Sequence, residues 1–247
     1  MRRVTAAEAA ALVVVASTFW TACGSGGLLR QYEYEEDLYL RLDGSATVYV
    51  NSSVAALDAL RGATFDIGRN TVLERARVRS FYSAPVARVA SVTTSRRSVR
   101  QFIHVRLDVA DIRRLSEAAP FAWSRYRFAR DGALYMFKQE VGQAAGKDVG
   151  EVSWTGREVV AFRLHLPSKI AYHNTLPGNL KRGNILVWEQ SLGERRRGVP
   201  LVLDARMETQ SILYRTLWLF GTTFAVVAVM FAVVLWWILH RKTPQSG

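Results

Sequence analysis

LWLFGTTFAVVAVMFAVVLWWIL, residues 217–239, decides how the rest of the chain is read. The run holds 23 residues and no charge. At 1.5 Å per residue, a helix of that length crosses a hydrocarbon layer of about 30 Å. Trp218 stands at one end and Trp236 with Trp237 at the other, where amphipathic rings favour the headgroup zone. Arg215 precedes the run, and His240, Arg241 and Lys242 stop it. A buried helix of a soluble protein would also have to be apolar on every face. Residues 216–239 are therefore read as a membrane-spanning helix, with 240–247 as a short cytoplasmic tail.

Working outward, the amino terminus reads as an export signal over residues 1–23. Arg2 and Arg3 precede an apolar run, residues 9–20, which is too short to span but suits a secretory core. Thr21, Ala22, Cys23 and Gly24 follow. Small residues before a cysteine resemble a bacterial lipobox, in which Cys23 would be acylated and become the new amino terminus. Trp20 departs from the usual Leu, and cleavage after Gly24 by an ordinary signal peptidase fits the same residues. Cys23 is the only cysteine, so no disulfide forms within the chain. Residues 24–31 begin with Gly24-Ser25-Gly26-Gly27 and read as a flexible tether. Export followed by a stop-transfer helix places the middle outside the cytoplasm of a bacterial cell, on the plasma (inner) membrane. Arg241 and Lys242 agree with a cytoplasmic carboxyl terminus.

The middle, 32–210, is long enough for one domain with its own core. It reads as an α+β domain with a mainly antiparallel sheet of hairpins and two or three short helices. Asp43-Gly44 turns a first hairpin, and Asn51, Ser52 or Ser53 caps a helix bearing Val54, Leu57 and Leu60 that Gly62 ends. Residues 86–94 and 99–109 form a second hairpin, followed by a helix with Ile112 and Leu115. This looks like a pseudo-repeat of the first unit. Residues 71–82 fit helix or strand. A third hairpin turns at Arg130-Asp131-Gly132, residues 142–156 read as a surface loop, and 158–166 is a strand stopped by Pro167. After a Pro/Gly/Asn-rich connection, residues 185–192 and 199–207 pair as a last hairpin, about nine residues before the span.

The formal net charge is +12, most of it arginine in the middle. A basic domain held beside a bilayer has lipid headgroups as its natural partner rather than nucleic acid. The turn at 193–198 carries Arg195, Arg196 and Arg197, and the preceding loop carries Lys181 and Arg182. These five are the candidate headgroup contacts, although charged turns also stay solvated without a ligand. Gly221, Ala225, Ala228 and Ala232 make a small-residue stripe suited to packing a membrane partner's helix. Four histidines, His104, His165, His173 and His240, show no metal-ligand spacing, and no nucleophile elbow or phosphate loop is present. Neither a metal, nor a cofactor, nor an enzymatic activity is expected. A membrane-bound hydrolase would need His104, His165 or His173 clustered with a carboxylate in a pocket.

Residues 163–188, RLHLPSKIAYHNTLPGNLKRGNILVW, carry a family resemblance. A strand runs into Leu166-Pro167, Asn174 lies seven residues on, and Gly183 introduces a strand bearing Trp188. This resembles the closing half of the LppM-like domain of bacterial envelope lipoproteins. Pro167-Ser168 stands where that family commonly has Pro-Gly, and Asn174-Thr175 where Asn-Gly is expected. The resemblance implies an exported domain related to lipid-binding folds, a span after a last hairpin, and no established enzymatic activity. The expected function is binding of lipid or an amphiphile at the membrane surface. An assembly module working through the Gly221–Ala232 stripe is the alternative.

Overall fold

A computed structural model describes residues 31–66, 73–97, 100–176, 179–181 and 184–240. Cys23 and the rest of the signal segment, the tether to residue 30, Arg182, the Lys181 side chain and the tail past His240 lie outside the described residues.

Alternation builds the first sheet. In β1 (Gln31–Leu40), Tyr34, Glu36, Leu38 and Leu40 are buried, while Glu35, Asp37 and Tyr39 take the other face. Asp43 turns the chain by accepting the Ser45 N–H at 2.9 Å, and Gly44 supplies the left-handed φ of 87°. β2 (Ala46–Ser53) returns with Val48 opposite Leu38. Ser53 then caps α1 (Val54–Arg61), its side chain accepting the Ala56 N–H at 3.1 Å, and Gly62 ends the helix in the left-handed region.

The ambiguous stretch resolves as helix. In α2 (Arg75–Tyr82), Val78 and Tyr82 are buried one turn apart, while Arg75, Arg77 and Arg79 are exposed. β3 (Ala87–Arg97) and β4 (Arg100–Val109) make the second hairpin, and β4 lies against β2. Ile112, Leu115 and Phe121 then anchor two 3-10 turns in the core. β5 (Ser124–Asp131) and β6 (Leu134–Val141) form the third hairpin.

The remaining strands are β7 (Glu158–His165), β8 (Ser168–His173), β9 (Leu180–Lys181), β10 (Ile185–Ser191) and β11 (Leu201–Ser211). They complete a seven-stranded sheet, β3-β4-β2-β1-β7-β10-β9, and a four-stranded one, β5-β6-β11-β8. Val48, Val50, Val105, Phe162 and Leu164 from the first share one core with Phe137, Leu203 and Met207 from the second. The class is α+β with mainly antiparallel pairing, closed by a long apolar helix, α4 (Ile212–His240). Among the described residues, one pair, β1 with β7, runs parallel.

Three local expectations need correction. Residues 185–192 and 199–207 are not a hairpin, because β10 pairs with β7 and β9, while β11 pairs with β6 and β8. The segment between them crosses from one sheet to the other. Arg195 and Arg196 sit not in a turn but on α3 (Leu192–Arg196), which opens with a capping box between Ser191 and Glu194, and Arg197 lies in the turn that ends it. The connection after Pro167 contains β8 and β9. Residues 142–156 do lack regular structure, yet Ala144 and Val149 are buried and Trp154 packs on the core.

Asp58, near the end of α1, is buried and accepts the Phe65 N–H at 3.3 Å, with Lys147 Nζ at 3.8 Å. Burial raises its pKa to about 6. A carboxyl with a folded pKa above its unfolded value of about 3.9 stabilises the fold below that value, and the contribution is lost as pH rises to 6. Asp58→Asn keeps the acceptor for Phe65. The wild-type melting temperature minus that of the variant should therefore fall between pH 4 and 6.5. A flat difference would show that Asp58 titrates normally.

Candidate functional site

Strand register fixes where every candidate residue lies along the long axis of the domain. α4 begins at Ile212, directly after Ser211 ends β11, so no connecting residues separate strand and span. The Ile212 N–H donates to Pro167 O at 3.0 Å, and Arg215 in the first helical turn pairs with Glu208. None of the residues of α4 is buried. β11 has 11 residues, and at 3.3 Å each its ends lie about 33 Å apart.

That length separates the basic candidates into two groups. Lys181 stands opposite Ile185, which stands opposite His165, two residues before Pro167. It therefore belongs to the end from which α4 leaves, together with Lys169 and Arg215. Arg195, Arg196 and Arg197 precede Leu201 and belong to the far end. They do not lie beside the span. Arg195 is also not a free cation: it is 3% exposed and donates to Gly142 O at 2.7 Å and Gln190 Oε1 at 3.3 Å. Burial, and then the neighbouring Arg61 guanidinium, hold its pKa below the ordinary arginine range. Arg196 lies over the Trp154 ring at 5.2 Å, and Arg197 is exposed. Gln31 stands opposite Glu158 at this far end too, so the amino-terminal segment joins the domain there.

The interior between the sheets holds a charged centre that the sequence did not announce. Glu36 accepts from Tyr34 at 3.0 Å, Tyr126 at 3.1 Å and Gln139 at 3.0 Å, and meets Arg61 at 3.5 Å. Arg61 Nε donates to the Tyr34 hydroxyl at 3.2 Å. Burial raises the tyrosine pKa values at this centre. Beside it, Leu60, Arg61, Ala144, Val160, Phe162 and Arg195 pack too tightly to admit a water molecule. A second buried acid, Glu33, meets Arg100 at 3.0 Å and accepts from the Trp154 Nε1–H at 3.3 Å. These groups are locked to one another, which suits fixing the two sheets rather than taking a ligand.

The histidines are not clustered. His165 stacks on Tyr39 at 3.8 Å, His173 lies on β8 in the other sheet, and His240 caps α4 by bonding to Trp236 O. His104 stands between Asn51 and Ser95 on the outer face of the seven-stranded sheet, with Glu35 one strand beyond Asn51. Asn51 is its direct cross-strand partner and Ser95 its diagonal neighbour, two residues past Thr93. Only strand register brings residues 51, 95 and 104 together, so no sequence motif marks them. Among the described residues, no group of His, Cys, Asp or Glu could hold a metal ion. Gly221, Ala225, Ala228 and Ala232 are exposed along α4, and an added Cβ at Gly221 would meet nothing within 4 Å.

No protein-family model matches this sequence, and no curated protein matches it. The fold is similar to the NMR structure of the folded domain of Mycobacterium tuberculosis LppM, the family that residues 163–188 resemble. Identity is 10% and the TM-score 0.40, over 75% of this chain and 95% of that one. The likeness is distant.

Proposed function

We propose that this chain is a single-pass membrane protein whose α+β domain lies outside the cytoplasm and binds anionic lipid headgroups with the end from which α4 leaves. The observation that supports it is the junction. A strand of the domain runs without a break into a 29-residue apolar helix with no buried residue, and helices of that length and composition cross membranes. The Ile212–Pro167 hydrogen bond and the Arg215–Glu208 pair brace the helix against the domain, which keeps Lys169 and Lys181 close to the bilayer. Each cation near an anionic surface contributes about 1 kcal/mol. The tight interior favours contact with a lipid surface over enclosure of an amphiphile. The export signal at residues 1–23 and the basic tail support an outward domain with a cytoplasmic carboxyl terminus.

The test uses the full chain in neutral detergent micelles. Doping them with an anionic phospholipid should raise the melting temperature of the domain by about 2–4 °C, equivalent to roughly 1 kcal/mol. Salt at 1 M, where screening acts within about 3 Å, should abolish the shift. Lys169→Glu with Lys181→Glu should abolish it as well. An equal shift with a zwitterionic lipid, or one that survives the charge reversal, would count against headgroup binding at this end.

A further inference from the structure

We propose that Ser95 is a base-activated nucleophile, with His104 as its general base and Asn51 as the residue that positions the base. The Ser95 Oγ lies 2.8 Å from His104 Nε2, and His104 Nδ1 lies 2.9 Å from Asn51 Oδ1. An amide oxygen only accepts, so Asn51 fixes the proton on Nδ1 and leaves Nε2 as the acceptor that faces the serine hydroxyl. A nucleophile and base within hydrogen-bond reach, the base oriented by a third group, is the arrangement that makes a serine reactive. Three neighbouring strands supply one member each, β3, β4 and β2, so the rigid sheet holds the relay.

The surroundings suit the chemistry. Ser95 is exposed, on β3, which is the outermost strand of the sheet, so an acyl group can approach it from solvent. Arg97 follows two residues later on the same face, its guanidinium over the Phe102 ring at 5.1 Å. It is placed to meet the negative charge that develops on an attacked carbonyl or phosphoryl oxygen. Burial, and then Arg97, lower the His104 pKa against the opposing pull of Glu35. Arg106, two residues along β4, lies on the same face of the sheet. The imidazole is therefore neutral, and able to take a proton, at pH 7. In the reaction the Ser95 proton passes to Nε2 as Oγ bonds to the acyl carbon. The alkoxide leaving group departs with that proton, and water later releases the acid by the same route. This goes beyond lipid contact at the α4 end and does not depend on it.

The experiment treats the full chain in detergent micelles with diisopropyl fluorophosphate and locates the adduct by mass spectrometry. Here the Oγ–P bond forms, the P–F bond breaks, fluoride leaves, and the proton passes through His104 to buffer. Ser95 should be modified about 100-fold faster than Ser91, an exposed serine on the same strand, as expected of general-base assistance. His104→Gln should remove that advantage, and Asn51→Ala should reduce it about tenfold while the near-ultraviolet circular dichroism stays unchanged. The rate should rise with pH and level off, with its midpoint below the ordinary histidine value. Modification of Ser95 at the rate of Ser91 in the wild-type chain would overturn the proposal without recourse to any variant. A rate unchanged in His104→Gln would do the same.

Discussion

Arg61→Met should destabilise the folded domain by about 3–5 kcal/mol, the cost of leaving a buried charge uncompensated. For a domain of this size the melting temperature should fall by roughly 10 °C or more. Glu36 is 1% exposed and sits between both sheets, with Arg61 as the cation among its partners. Methionine fills much of the arginine's volume, so the loss reports charge rather than cavity. The pair itself need not be strongly stabilising. Removing both charges with Arg61→Met and Glu36→Gln should recover most of the loss, because the amide can still accept from Tyr126 or Tyr34. Thermal unfolding of the full chain in micelles, for both single variants and the double, gives the coupling energy. A coupling below about 0.5 kcal/mol would mean that water reaches Glu36 and that the centre is not what joins the sheets.

The same centre shows where reading the sequence stops. Local signals were legible: Asp43-Gly44 turned the first hairpin, Ser53 and Gly62 bounded α1, and Ile112 with Leu115 anchored the turn after β4. Each depends on residues within a few positions of one another. Glu36 has partners 25, 90 and 103 residues away, and an acid in a strand looks solvated until they are found. The Ser95–His104–Asn51 relay was hidden for the same reason. The helix at 192–196 is different, since Ser191 and Glu194 carry the capping-box spacing in plain view. Reading 193–198 as a turn followed from assuming that successive strands pair. The chain instead changed sheets there, as it did at Leu166-Pro167.

Those two sheet changes alter the place of the basic residues. Each sits at one end of the domain, so residues close in sequence to the span can be a strand-length from it. Arg197 is 15 residues before Ile212, yet β11 carries those residues away from the helix. Gln31 lies at the far end with it. The eight steps from Cys23 to Gln31 reach at most about 29 Å when fully extended. An acylated Cys23 and α4 would then hold the domain from opposite ends. Sharing one bilayer would require the strands to incline only until Gln31 lies within that reach of the surface.

Gly142→Ala should cost about 2–4 kcal/mol, although it adds one methyl group to a segment that reads as loop. A Cβ at Gly142 would lie 2.2 Å from the carbonyl oxygen of Trp123, a backbone atom with no side-chain rotation to relieve it. The Gly142 N–H donates to that same oxygen at 2.7 Å, and the Gly142 carbonyl accepts from Arg195. Moving the peptide aside therefore breaks both bonds and leaves a buried guanidinium without its shortest hydrogen bond. Gly221→Ala is the control. Nothing lies within 4 Å of the added carbon, and alanine is the better helix former by about 1 kcal/mol, so its melting temperature should stay level or rise. The Gly142 variant should also become sensitive to limited proteolysis between residues 142 and 157, because the loop is held down through Arg195 and α3. Protection equal to wild type, with an unchanged melting temperature, would show that β5 and β6 can spread at no cost, and that the far end of the domain is not the rigid platform that presents Arg196 and Arg197.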